Sequence, residues 1–414
     1  MATDDVAPCA ENPSDEPTRR AAPRRVPDFR RGLRLALFAA AGQDAGLGIP
    51  WREILLDWAI LAAAVLAFCT AFLNFDAARA LPGNEADIVQ ALDWTLVNSL
   101  HQFGQFPLWN PYLRTGIPYV ADPFLHVYNP LATLPVLLLG VWSGFKVALF
   151  LSFVAAAWGM WQLGAVLGLR RPARLWMGLM YAFTGQGVAR FFQGEYDFVL
   201  GLAWIPWVLA FALLVVRTRQ RRHAVAASVA LALLFFSGNV YYTFYMILVL
   251  PLLALVSALE VDWRARQVRW RSGALALIAI VVLLALALSA IQWRPLLDYW
   301  KSYTKMPDRQ LIGSHSLPQI WLDYVSTDHR RPDAYRTLPS EEFYAYTGVW
   351  PFLLLIFLPL TYRRGKRREQ VFLALLLGIA VAYIATKYMP WAQLYQTSPL
   401  LNQFRYQTRM LIYG

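Results

Sequence analysis

The chain has 414 residues, of which 58% are hydrophobic and only 15% charged, and its mean hydropathy is +0.39. A soluble domain carries about a quarter charged residues, so this composition excludes an ordinary soluble protein. The net charge of +12 does not point to nucleic acid. The arginines sit in short clusters between apolar runs, where the positive-inside rule accounts for them.

Residues 1–50 are polar, Pro-rich and basic, and read as a disordered cytoplasmic tail. Arg30, Arg31 and Arg34 open an Ala/Leu-rich stretch suited to a short interfacial helix. No short apolar stretch with a cleavage site follows Met1, so no cleavable signal is expected. Residues 51–414 read as one all-α polytopic membrane domain with two long outer loops.

The first span is expected over Ile54–Phe75, with its N-terminus inside. The first outer loop then runs from Asp76 to Pro130. Leu131–Val141 reads as an interfacial or re-entrant piece, and Ser143–Leu167 as the second span. Leu175–Val188 is a short third span, and an outer turn over Ala189–Asp197 leads to a fourth at Phe198–Val216. Two short spans follow between His223 and Glu260, with a turn at Gly238-Asn239. Ala274–Ile291 is the seventh span, and the second outer loop covers Gln292–Thr347. Val349–Leu360 and Val371–Tyr388 complete about nine spans, each judged against roughly 18 apolar residues for a bilayer crossing. The basic loops around Arg170, Arg217, Arg264 and Arg363 all fall on one side in this scheme. Met410–Tyr413 reads like the start of another apolar helix, so the chain is either cut there or ends at the membrane surface.

Cys9 and Cys69 lie too far apart in the scheme to meet, so no disulfide is expected. No zinc spacing, HExxH pattern, P-loop or GxSxG elbow is present.

The chemistry-bearing residues gather in the outer loops. If a helix begins near Asn84, then Asp87, Gln90, Ala91 and Trp94 share one face. A carboxylate, an amide and a ring there suit the wall of a sugar site. Asp87 equally suits the first turn of a helix capped by Asn84, where an acid stabilises the dipole. Glu85 points elsewhere on a helix and to the same side in an extended loop. Trp109 and its neighbouring rings suit either a site or the membrane interface. Asp122, before Pro123, is a turn residue or a site residue. Between two spans, Arg190 is placed to clamp a phosphate, and Glu195 and Asp197 to position sugar hydroxyls. The bland reading is a local Arg190–Glu195 ion pair, worth little if exposed. Arg405 and Arg409 stand outside, against the charge rule, as phosphate contacts or as snorkelling side chains. A divalent metal at Glu85, Asp87 and Asp122 stays open as a cofactor, since hard cations take carboxylate oxygens.

The ordered set Ala86-Asp87-Ile88-Val89-Gln90, Phe106-Pro107-Leu108-Trp109-Asn110-Pro111-Tyr112, Gly116-Ile117-Pro118 and Asp122-Pro123 resembles YfhO-like bacterial membrane proteins of the GT-C glycosyltransferase superfamily. Weaker matches are Ala203-Trp204-Ile205-Pro206-Trp207, Ser237-Gly238-Asn239, Leu288-Ser289-Ala290-Ile291-Gln292 and Tyr346-Thr347-Gly348-Val349. The similarity spans residues 50–414. It implies a GT-C-like helical bundle in the inner membrane that uses a polyprenyl-phosphate sugar donor at the periplasmic face. It also implies that the acid of the first outer loop, here Asp87, is the catalytic residue. Members are commonly longer than this chain. A second reading is a non-catalytic membrane subunit within a larger protein complex. A third, a lipid or solute transporter, would need a polar path that the spans do not advertise.

Overall fold

The computed structural model describes residues 49–413, except 77–78, 80, 84, 114, 263–266, 271–272, 301–310, 312, 327–344, 350–352, 354–366, 399–400, 402–403 and 405. About 75% of the described residues are helical, and among them there is no sheet core. The expectations for the tail, for Arg405 and for most of the eighth span lie outside the described residues.

Helix α1 (Trp51–Cys69) starts behind Pro50, whose fixed φ of −68° suits a helix entry. It carries a fully buried acid, Asp57, which accepts from Arg171 Nε at 2.7 Å and Trp161 Nε1 at 3.0 Å. A carboxylate buried between helices persists only when paired in this way. Helix α2 (Ala86–Phe103) begins one residue after Glu85 and stops at left-handed Gly104. The Pro-rich stretch that follows cannot be helical throughout. It forms a small antiparallel ladder, β1 (Trp109–Asn110) against β2 (Ile117–Pro118).

Asn129 caps α3 (Pro130–Leu139) by accepting from Leu131 N. Gly140 turns the chain into α4 (Val141–Val166), the longest helix. This matches the expected interfacial piece and second span. A Cβ on Gly144 would stand 2.3 Å from the Pro135 carbonyl oxygen, so only glycine lets α3 fold back onto α4 here. The expected third span is broken instead into α5 (Arg171–Ala182) and α6 (Gly185–Gln193). Helices α7 (Tyr196–Leu202) and α8 (Ile205–Thr218) run on as one apolar rod, and α9 (Arg221–Phe235) packs back against α8. The Gly238-Asn239 turn is where expected. Asn239 caps α10 (Val240–Ala258) by accepting from Tyr242 N at 2.8 Å.

The ladder β3 (Leu259–Asp262) with β4 (Gln267–Trp270) was not expected. Helices α11 (Gly273–Leu288) and α12 (Ala290–Trp300) meet at a bend of 75°. The segment expected as the second outer loop, Gln292–Thr347, is thus partly helical among its described residues, and it also holds α13 (Leu317–Val325). Helix α14 (Arg367–Ile384) and the short α15 (Ala392–Thr397) follow. Met410 and Leu411 do not begin an exposed apolar helix. They lie in a 3-10 helix, Gln407–Tyr413, and are buried in the bundle.

Among the described residues three helices are long and apolar enough to cross a membrane: Val141–Val166, Tyr196–Thr218 and Val240–Ala258. The bent pair Gly273–Leu288 and Ala290–Tyr299 makes a fourth if it is one span. Nine spans are therefore not confirmed among the described residues. The charges Arg52, Glu53 and Asp57 interrupt α1, and α9 has 15 residues, short of a full crossing. Exposed leucines along α3 and α11, with Leu138 at 80%, give the bundle the apolar exterior of a membrane-embedded protein.

Candidate functional site

The segment carrying Glu85 and Asp87 meets the segment Arg190–Asp197. Glu85 N donates to Gln193 O at 3.3 Å, and Tyr196 Oη donates to Pro82 O. The approach is close enough to demand glycine on both sides. A Cβ on Gly83 would lie 2.1 Å from the Gln193 carbonyl carbon, and one on Gly194 2.6 Å from Ala86 N. Both residues have positive φ, +108° and +90°, which a side chain would strain. The start of α2 is thereby fixed on the α6–α7 turn.

Under this junction lies a buried charge cluster. Arg190 donates through Nη1 to Glu195 Oε2, and Arg409 donates through Nη2 to Glu195 Oε1 at 3.1 Å. All three side chains are buried. The Arg409 guanidinium sits 4.3 Å from the Tyr241 ring, 4.5 Å from Tyr406 and 4.7 Å from Phe198. Arg190 lies 4.7 Å over the same Phe198. These rings favour the cations by cation–π attraction where water is excluded. Asp197 accepts from Asn239 Nδ2 at 3.2 Å. The expected local ion pair exists, but it is interior and joined by a second arginine, so its energetics are those of a buried network.

Asp87 stands apart from this cluster. It is exposed in the first turn of α2, and it has no hydrogen bond or ion pair to another described residue. Glu85, not Asn84, occupies the N-cap position, and no side chain caps the helix. Asp87 therefore still serves the helix dipole, one position nearer the start than expected. Glu85 is exposed beside it. Gln90 turns inward and is 4% exposed, and its buried Nε2 has no acceptor among the described residues. A buried amide in that state is costly unless a water or ligand oxygen meets it.

Trp109 is far along the Pro-rich loop and 54% exposed. Asp122 is buried and accepts from Phe124 N at 2.8 Å through Oδ1, closing a turn as an aspartate commonly does. Asp122 is thus not gathered with Glu85 and Asp87. Among the described residues no group of three or more His, Cys, Asp or Glu is placed to hold a metal ion.

Sequence reasoning missed a second buried pair beside the site. His126 Nε2 lies 3.1 Å from Asp93 Oδ1, and its Nδ1 lies 3.2 Å from Phe124 O. Both partners are acceptors, so a ring protonated on both nitrogens satisfies both. Burial alone pushes this imidazole down, but the Asp93 charge and hydrogen bond outweigh it, and His126 titrates above the usual histidine value. With Tyr119 Oη donating to Leu92 O at 2.8 Å, this pair fastens the loop to α2. Asn239 was legible only as a turn residue, and its second role at Asp197 had no signal in the sequence.

No protein-family model matches the chain, and no match is found among curated proteins or solved structures.

Proposed function

We propose that the chain is a membrane glycosyltransferase of the GT-C kind. In this reading it crosses a bacterial inner membrane about nine times, the count its hydropathy suggests, with its N-terminus in the cytoplasm. It moves a sugar from a polyprenyl-phosphate donor to an acceptor hydroxyl at the periplasmic face. The observation that carries the reading is that the Glu85–Gln193 contact fixes the start of α2, with its exposed Asp87, on the turn that holds Glu195 and its two arginines.

The acceptor oxygen attacks the anomeric carbon and forms the new glycosidic bond. The bond from that carbon to the phosphate oxygen breaks, and its electron pair leaves with the lipid phosphate. Asp87 takes the acceptor proton as general base. Attack opposite the leaving group inverts the anomeric centre. Arg190 and Arg409 each exchange part of their hold on Glu195 for a phosphate oxygen and stabilise the developing charge. Arg405 is assigned the same task from the sequence alone. Gln90 and Trp109 contact the sugars, and Glu195 and Asp197 set the arginines and hydroxyls.

The test is transfer from a panel of labelled polyprenyl-phosphate sugars by purified protein in lipid. Asp87→Asn is expected to lower turnover about 10²–10⁴-fold with expression and melting unchanged, the usual worth of a general base. Wild-type turnover in that variant would remove Asp87 from the mechanism. One observation favours a second reading, a non-catalytic subunit of a membrane complex: both described arginines of the cluster are already engaged with Glu195. A stoichiometric partner co-purifying with a chain inactive toward every donor would support it.

A further inference from the structure

The C-terminal half of α2 and the Pro-rich loop line an open cavity of about 320 Å³. Its wall combines the rings of Trp109 and Tyr112 and the apolar Phe103, Phe106 and Leu108 with the polar side chains of Asn98, Ser99 and Gln105; the Ser99 hydroxyl donates to Gln105 O at 2.9 Å and is left as an acceptor. The rings are held in place. The β1–β2 ladder sets Trp109 opposite Pro118. Gly116, at φ +105°, lies so close behind the indole that a Cβ would stand 2.6 Å from it. Tyr112 packs edge-on against Trp94 at 4.8 Å, and its hydroxyl lies 3.4 Å from Asn98 Nδ2.

We propose that this cavity binds a carbohydrate chain, the acceptor of the transfer reaction. A sugar ring has an apolar C–H face and a rim of hydroxyls. A fixed indole with an open surface takes the face, and amide and hydroxyl side chains at its edge take the rim.

The helix gives the chain its direction. Asp87, Trp94 and Asn98 lie within about 20° of one line along α2. Asp87 and Trp94 are exposed and Asn98 is half-buried, so the line is an open track. The rise of the helix puts Asn98 about 16 Å from Asp87 along the axis. Several sugar rings fit that length, so the occupant is an oligosaccharide whose reacting end lies at Asp87. That last assignment rests on the transferase reading, whereas the binding does not.

The experiment titrates full-length protein in lipid nanodiscs with neutral tetrasaccharides of gluco, galacto and manno configuration. Saturation-transfer NMR and tryptophan fluorescence report binding. At least one tetrasaccharide is expected to bind. Trp109→Ala should weaken it about tenfold, and Trp109→Phe should keep most of the affinity. Absence of saturable binding by all of them, or equal binding by Trp109→Ala, would overturn the proposal. So would quenching by brominated phospholipid that no saccharide displaces, since a lipid then fills the cavity. Saccharide binding that needs Trp109, in a protein whose Asp87→Asn variant still transfers, would sink the base and leave the subsite standing. Transfer that needs Asp87, without saccharide binding, would sink the subsite alone.

Discussion

His126 has acceptors at both ring nitrogens and a fully buried carboxylate partner, and that arrangement has a sign. Its native value lies above the unfolded value of about 6.5. The stabilisation is therefore complete below about pH 6.5 and is lost as pH rises through the native value. Wild-type protein in detergent should melt at progressively lower temperature over that interval. The slope should flatten in His126→Gln, which cannot take the charge. An equal slope in both proteins would show that the pair contributes nothing pH-dependent. The same residues mark the limit of what a sequence reveals at this scale. Arg190 and Glu195 are five positions apart, and their pairing was legible. Their burial was not, because it depends on Arg409, 214 positions from Glu195. Asp122 beside Pro123 fitted a turn or a site, and only its bond to Phe124 N identifies the turn.

Elements governed by local signals were legible, and those governed by distant contacts were not. The Asn129 cap, the Gly140 break and the Gly238-Asn239 turn each follow from the residue that forms them. The break between α5 and α6 depends instead on Tyr346, whose backbone oxygen accepts from Gly185 N at 3.2 Å. The bend at Ser289 falls where the apolar run of α11 gives way to the mixed sequence of α12, so the expected end of the seventh span at Ile291 lies within two residues of it, whereas the 75° turn into a second helix had no local signal. The α3–α4 hairpin gives a test of close packing. Gly144→Ala forces a Cβ toward the Pro135 backbone, which cannot swing aside as a side chain would. The expected cost is about 1–3 kcal/mol of stability, typical of overpacking. Gly378→Ala in α14 is the control. A Cβ there meets nothing within 4 Å, and alanine should gain about 0.5–1 kcal/mol in a helix interior. Equal thermal shifts in the two variants would contradict the close contact at Gly144.

Charge sorts the two ends of the whole molecule. At one end Arg171 meets Asp57, Arg174 meets Glu53, and Arg217 donates to Val166 O. The start of α1 and the loops after α4 and α8 therefore share that end. At the other end Glu85 meets Gln193, and Gln292 donates to Leu125 O at 2.8 Å. The topology proposed above puts the arginine-rich end in the cytoplasm and the Asp87 end outside, as the positive-inside rule expects. A membrane-impermeant maleimide on intact cells reads this directly. Cys9→Ser removes the cysteine in the polar N-terminal stretch, and Cys69 is buried. In that background Asp87→Cys and Phe192→Cys should label in intact cells, and Arg222→Cys only after permeabilisation, since all three positions are exposed. Labelling of Arg222→Cys from outside would invert the protein and take Asp87 into the cytoplasm. A periplasmic donor could not reach it there, so this one result bears on the transferase reading as strongly as any assay of turnover.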